Sequence, residues 1–142
     1  MAHVSRDSII ETLESKGINT GYDRNTNTIE SWYGRRYKLD VRNDDGRTAT
    51  DPIGGRVGIR IWYDQSLEDA CDSYLHEKSH VDIFPFSLVT LAGTFVANAY
   101  LNDYSDTLLG KVGIGLACLA GWFVTNEVIT DAYKWLRYKR KL

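Results

Sequence analysis

The chain has 142 residues, which is room for one modest domain or for a small domain with a membrane anchor. Its formal net charge of −2 gives no global basic field, and this excludes nucleic acid as the expected partner. The only two cysteines, Cys71 and Cys118, exclude a disulfide framework and favour two reduced, packed thiols.

The first part of the chain predicts one helix followed by short strands. Residues 5–16 predict the helix, with Ser5 as a suitable N-cap and Gly17 as a natural stop. Alternating apolar residues predict three strands, at residues 28–33, 36–41 and 56–63. The polar residues 43–55 predict a loop before the last strand.

A second helix is predicted over residues 66–80. Ser66 is a suitable N-cap, and Asp69 follows three residues later, a weaker form of the capping box. Apolar residues recur at the spacing of a helix that packs on a sheet, namely Leu67, Ala70, Cys71, Tyr74 and Leu75. The last turn of this helix carries the sequence HEKSH at residues 76–80.

Two apolar segments follow, and they predict a transmembrane hairpin. Residues 83–101 carry no charge, and residues 108–126 carry only Lys111. Each segment is close to the roughly 20 residues that cross a hydrocarbon core. Because the tail at residues 132–142 is basic, we expect it in the cytoplasm. An even number of crossings then puts both termini of the chain on the cytoplasmic side.

A ridge of small residues runs along the second apolar segment. Gly113, Ala117 and Gly121 recur every four residues, so two helices can approach closely at this ridge. The ridge predicts a homo-oligomer. The hairpin predicts the lipid bilayer as a second partner.

The HEKSH sequence fits the pattern H-E-x-x-H. His76 and His80 lie four residues apart, so on a helix both imidazoles share one face and can bind one metal ion. Glu77 lies one step around the helix, where it can act as a general base without being a ligand. A catalytic zinc site of this type needs a third protein ligand.

An acidic pair after the second apolar segment supplies the missing ligand. Glu127 and Asp131 lie on one helical face, and Glu127 can complete a two-histidine, one-glutamate set. Asp131 can accept the second ring N–H of a ligand histidine and so fix its tautomer. The predicted hairpin returns Glu127 to the membrane face that the chain left just after His80.

H-E-x-x-H at residues 76–80, followed by E-x-x-x-D at residues 127–131, resembles the gluzincin zinc metallopeptidases. The hairpin between the two motifs resembles the integral-membrane members of that group, and the short N-terminal part resembles the minimal soluble members. Lys78 departs from the uncharged residues usual inside the motif, and residues 1–55 resemble no known family.

The resemblance implies a zincin-like fold, a Zn²⁺ cofactor and a peptide or protein substrate. In such folds a strand runs along the cleft and pairs with the extended substrate, and the strand at residues 56–63 is expected to do so. A further group that stabilises the oxyanion is also implied. Its candidates are Tyr133, Arg137 and His3.

The predicted fold is therefore α+β, with a small three-stranded sheet, helices and a two-helix transmembrane hairpin. Its parts are residues 1–82, residues 83–126, and a glutamate helix with a basic tail at residues 127–142. The predicted function is a membrane-anchored zinc metallopeptidase that cuts peptide bonds near the cytoplasmic face. Two alternatives are a non-catalytic membrane protein with a degenerate motif and a small pore-forming effector.

Overall fold

The structure is a computed structural model that describes residues 4–44, 46–62 and 64–138, and within them it contains three helices and five strands. The helices are α1 (Arg6–Ser15), α2 (Leu67–Asn102) and α3 (Leu108–Tyr138). The strands are β1 (Tyr22–Asp23), β2 (Thr28–Glu30), β3 (Arg36–Arg42), β4 (Ala49–Asp51) and β5 (Arg56–Arg60).

Helix α1 begins and ends where its capping residues predict. The Ser5 side chain accepts a hydrogen bond from the Ser8 backbone N–H, and the Ser8 hydroxyl accepts one from the Ser5 backbone N–H. Beyond the helix, Gly17 takes a φ of +69°, which glycine adopts without strain. The apolar face of α1 is buried in the core through Ile9, Ile10 and Leu13.

The α+β class is confirmed, but the prediction of three strands is wrong because the described sheet has five. The strand order is β1-β2-β3-β5-β4, with β3 and β5 parallel and all other neighbours antiparallel. β1 has two residues and β4 has three, too few for an alternating pattern to be read. β4 falls inside the predicted loop at residues 43–55, and a zincin-like arrangement is not confirmed by this sheet.

The prediction that residues 56–63 pair with substrate is also wrong. β5 lies between β3 and β4, so both of its hydrogen-bonding edges are already used. β4 is instead an edge strand of the described sheet, because it pairs with β5 alone. β5 ends at Arg60, and Tyr63, which was predicted to extend it, lies outside the described residues.

Helix α2 joins two predicted elements into one. The helix predicted at residues 66–80 and the apolar segment at residues 83–101 form a single helix of 36 residues, although Pro85 lies inside it. The predicted boundaries at residues 82 and 126 therefore fall within α2 and α3. Ser66 is the N-cap, and its hydroxyl accepts the Asp69 backbone N–H at 3.1 Å.

The loop after β2 supplies hydrogen-bond donors to the backbone of α2 next to Pro85. Proline has no N–H, so the carbonyl of Val81, four residues earlier, loses its helical partner. The Tyr33 hydroxyl donates to this carbonyl at 3.0 Å. The Trp32 indole N–H donates to the neighbouring carbonyl of Asp82 at 2.7 Å. The sheet is therefore fixed to α2 at the point where the predicted membrane segment begins.

Helices α2 and α3 pack as the predicted hairpin. They are joined by residues 103–107, because α2 continues through Asn102, one residue beyond the predicted segment. Both are long and apolar enough to cross a membrane, and their most apolar stretches are only 17% and 0% buried inside the protein. The ridge formed by Gly113, Ala117 and Gly121 is exposed, and a Cβ atom at either glycine would meet no other atom. The ridge therefore faces away from α2.

The carboxylate of Asp82 connects three parts of the fold. It accepts hydrogen bonds from Lys78 Nζ at 2.6 Å, from the Trp32 backbone N–H at 3.2 Å and from the Tyr133 hydroxyl at 3.4 Å. The Lys78 and Asp82 side chains are only 6% and 4% exposed. A buried ion pair of this kind costs much more to break than an exposed one.

We expect Asp82→Ala to destabilise the protein strongly, because the Lys78 ammonium group would be left buried without its carboxylate. The expected loss is about 3–5 kcal/mol. Thermal unfolding in detergent, followed by far-ultraviolet circular dichroism, is expected to show a midpoint lower by roughly 10 °C or more.

Asp72→Ala is the matched control for this prediction. Asp72 accepts from Lys134 Nζ at 2.9 Å, but its side chain is 57% exposed. Breaking this exposed pair is expected to cost less than about 1 kcal/mol. Equal midpoints for the two variants would contradict the role assigned to Asp82.

Candidate metal centre

Three side chains from α2 and α3 form a compact cluster. His76 and His80 stand one helical turn apart, and their Nε2 atoms face each other at 3.1 Å. The two carboxylate oxygens of Glu127 lie 3.5 Å from the Nε2 atoms, Oε2 near His76 and Oε1 near His80. The antiparallel packing of α3 on α2 thus brings together the three residues predicted to be metal ligands.

The other ring nitrogen of each histidine has its own partner. His76 Nδ1 lies 3.2 Å from Asp131 Oδ1, which is the position predicted for the orienting carboxylate. His80 Nδ1 lies 3.2 Å from the Thr130 hydroxyl. That hydroxyl donates a hydrogen bond to the Asn126 carbonyl at 2.8 Å, so it accepts a hydrogen bond from the Nδ1–H of His80.

These partners favour the same tautomer in both histidines. With the protons on the Nδ1 atoms, the two Nε2 atoms present lone pairs to each other, an arrangement that calls for a cation or a proton between them. In a tetrahedral zinc site with bonds of about 2.0–2.1 Å, ligand atoms stand roughly 3.3 Å apart. The two Nε2 atoms, 3.1 Å apart, are close to that value, and each has a different oxygen of Glu127 at 3.5 Å. One ligand atom from each of the three residues lies within 4.8 Å of the others, so the three side chains are compatible with a zinc ion.

The electrostatics of the cluster keep His80 in the form that binds metals. Burial lowers the pKa of His80, and this outweighs the nearby carboxylate of Glu127, which raises it. A neutral imidazole is the state that ligates a metal ion. Glu127 is half exposed, at 51%, so one side of the cluster is open to solvent.

Glu77 lies beside the cluster and is buried. Burial raises the pKa of its carboxyl group, while a hydrogen bond from the Thr50 hydroxyl at 2.5 Å to Oε2 opposes that rise. The nearby carboxylate of Glu127 also raises the pKa of Glu77. A carboxyl group with a raised pKa is suited to accept and return a proton near neutral pH.

Two residues of this site were missed by the sequence reasoning. Thr130 lies three residues after Glu127, on the same side of the helix, and this spacing was the available signal. Thr50 lies on β4, in a segment predicted to be a loop, and no local pattern points to its contact with Glu77.

Lys78 points away from the cluster. Its ammonium group pairs with Asp82, and its side chain passes close to Gly21, where an added Cβ atom would lie 3.0 Å from Lys78 Cε. The positive charge of Lys78, which is unusual inside this motif, is therefore neutralised by Asp82 and lies away from the histidines.

The structure does not bring the predicted oxyanion-stabilising residues to the cluster. Tyr133 donates to Asp82, and both Tyr133 and Arg137 line a separate cavity of about 700 Å³. None of the cluster residues lines that cavity. His3, the third candidate, lies outside the described residues.

No known protein family matches the chain, and no curated protein or solved structure is detectably similar to it.

Proposed function

We propose that the chain is a membrane-anchored zinc-dependent metallopeptidase that hydrolyses peptide bonds close to the cytoplasmic face of the bilayer. In this proposal His76, His80 and Glu127 hold Zn²⁺, Asp131 and Thr130 orient the two imidazoles, and Glu77 is the general base. The hairpin of α2 and α3 is the anchor.

One observation carries the proposal. Two Nε2 atoms face each other at 3.1 Å while each Nδ1 atom has a partner, and a carboxylate from the second helix approaches from the side. Without a shared cation or a shared proton, the two lone pairs would repel each other. Histidines that only stabilise the fold do not need a carboxylate beside their Nε2 atoms. Here that carboxylate belongs to Glu127, which lies 47 residues after His80 in the chain.

The roles of the side chains follow from their chemistry. When bound, zinc is a Lewis acid that makes water a better nucleophile near neutral pH and withdraws electron density from a carbonyl group. The Thr50 hydroxyl holds Oε2 of Glu77, so the other oxygen is left to take a proton from the attacking water. The raised pKa of Glu77 then suits it to pass that proton to the leaving amine.

The position of β4 suggests how a substrate is held. β4 is an edge strand, and its central residue Thr50 touches Glu77. An extended peptide that adds to this edge would be fixed by backbone hydrogen bonds, with its scissile bond beside the general base. This role replaces the one predicted for residues 56–63.

The hydrogen bonds inside the hairpin support a membrane setting. The Trp122 indole N–H donates to the Ser87 carbonyl and to the Thr90 hydroxyl. The Ser87 hydroxyl also contacts the side chain of Asn126. Polar groups in a bilayer must find partners within the protein, and these three side chains do, whereas Asn98 Oδ1 in the same hairpin has none among the described residues. In this proposal the basic tail lies in the cytoplasm, and the exposed ridge at Gly113, Ala117 and Gly121 joins two copies.

Removal and return of the metal test the proposed function. We expect the full chain, purified in detergent, to contain one zinc ion and to cleave an unfolded protein substrate. Dialysis against a chelator is expected to abolish cleavage, and added zinc is expected to restore it. New N-termini are identified by mass spectrometry.

The other outcomes separate the alternatives. Stoichiometric zinc without cleavage of any substrate would indicate a degenerate, non-catalytic relative. A protein without zinc that makes lipid vesicles leaky would indicate a pore-forming effector and would overturn the proposal.

A further inference from the structure

Two loops of the globular part lie at the level where α2 enters its apolar segment. The first loop precedes β3 and contains Trp32 and Arg35, and the second is the turn between β4 and β5. Trp32 bonds to Asp82, the last charged residue before the segment, and the Arg35 guanidinium lies 5.6 Å from the ring of Phe84 inside it. Arg35 also donates to the carbonyl of Ile53 in the turn, at 3.0 Å.

The tips of both loops are apolar and exposed. Trp32 is 63% exposed and Ile53 is 81% exposed. Among the described residues before α2, the only other large apolar side chain with such exposure is Trp62, beyond the opposite end of β5. Exposed apolar residues of the globular part therefore concentrate at the end that faces the apolar helices.

The Trp32 ring can leave water without losing a hydrogen bond. Its indole N–H is already bonded to Asp82. Burying the exposed ring in an apolar medium therefore leaves no polar atom without a hydrogen-bond partner. The transfer of its apolar surface out of water is favourable. Tryptophan is enriched at the membrane–water interface for this combination of properties.

The same end of the sheet is basic. Four cationic side chains stand at or next to the first residues of β3 and β5: Arg35, Arg36, Lys38 and Arg56. The acidic residues at this end are Glu30, which lies 3.9 Å from Arg36, and Asp51, which accepts the backbone N–H of Gly54. Cations exceed acids here, as suits a surface that meets anionic lipid headgroups.

We infer that the two loops, residues 31–35 and 51–55, form a docking surface for anionic phospholipid headgroups of the bilayer that the hairpin crosses. Trp32 and Ile53 insert at the level of the headgroups, and the arginines pair with lipid phosphates. This inference rests on the membrane-spanning part of the proposed function but not on its metal chemistry. Docking would hold the sheet, and β4 with it, at a fixed tilt to the membrane.

Depth measurements with nitroxide labels test this surface. Single cysteines are introduced into a C71A/C118A chain at I53C, at W62C as the matched exposed control, and at L116C in the hairpin. The full chain is placed in vesicles of phosphatidylcholine with phosphatidylglycerol. Collision with oxygen and with a water-soluble nickel complex reports the depth of each label.

We expect the I53C label about 5–10 Å below the water boundary of the headgroups, as for other interfacial segments. The W62C label is expected in water and the L116C label in hydrocarbon. Charge reversal by R36E/R56E is expected to move the I53C label back towards water in the anionic vesicles.

Each remaining outcome has a defined meaning. An I53C label as accessible to nickel as the W62C label would overturn the docking surface while leaving the anchor intact. An L116C label in water would overturn the anchor and the docking surface together. An I53C depth unchanged by R36E/R56E would overturn the assignment of anionic lipid as the partner.

Discussion

Replacing Glu77 by glutamine is expected to abolish peptide hydrolysis and to leave zinc binding intact. The amide cannot accept the proton of the attacking water, and general acid–base groups contribute about 10²- to 10⁴-fold to such rates. The measurement is initial cleavage rate per bound zinc, with the metal content determined on the same sample.

Glu68→Gln is the matched control, because it makes the same chemical change on the same helix at an exposed residue. Its rate and zinc content are expected to equal those of the unchanged chain. Loss of zinc from Glu77→Gln would instead make Glu77 a ligand, and an unchanged cleavage rate would remove it from the mechanism.

Replacing His80 by alanine is expected to remove zinc from the protein. On the proposed function the imidazole supplies one of three protein ligands, so the loss in affinity should exceed the roughly 10- to 100-fold typical of an orienting residue. Competition with a coloured chelator measures the affinity. Unfolding midpoints without metal show whether the variant still folds.

The orienting residues provide a graded comparison. Asp131→Asn and Thr130→Val keep all three ligands but change the acceptors at the two Nδ1 atoms. Each is expected to weaken zinc binding by about 10- to 100-fold. Equal losses for Asp131→Asn and His80→Ala would contradict the division between ligands and orienting residues.

The part of the site that is local in sequence could be predicted. His76 and His80 share a face because of helix periodicity, and Asp131 follows Glu127 by one turn for the same reason. The hydropathy pattern predicted that the histidine pair and the acidic pair lie close together. Two apolar segments of equal length return the chain to the membrane face that it left after His80. In the structure Glu127 does lie beside both histidines.

The parts that depend on the sheet could not be predicted. β4 has only three residues, in a segment rich in turn-forming residues, and its pairing with β5 is set by tertiary contacts. Local patterns do not encode such short edge strands. The contact of Thr50 with Glu77 and the edge position of β4 were therefore out of reach of the sequence.

The hydrogen bonds around Pro85 could not be predicted from the sequence either. The proline itself signals a disturbed helix, but nothing in the sequence names the residues that satisfy the freed carbonyl. The structure assigns this to Tyr33, while Trp32 donates to the next carbonyl, that of Asp82; both residues are about 50 residues upstream. These residues were predicted to end a strand, and the strand stops at Glu30 instead.

The unbroken course of α2 would bear on which substrates the proposed peptidase selects. His80 precedes Ile83, the start of the apolar stretch, by three residues, which is a rise of about 5 Å along a helix. Because α2 is one continuous helix, it fixes the height of the histidines above the lipid. On the proposed function, a polypeptide segment would be chosen by its elevation over the bilayer, so bonds in distant aqueous loops would escape cutting whatever their residues.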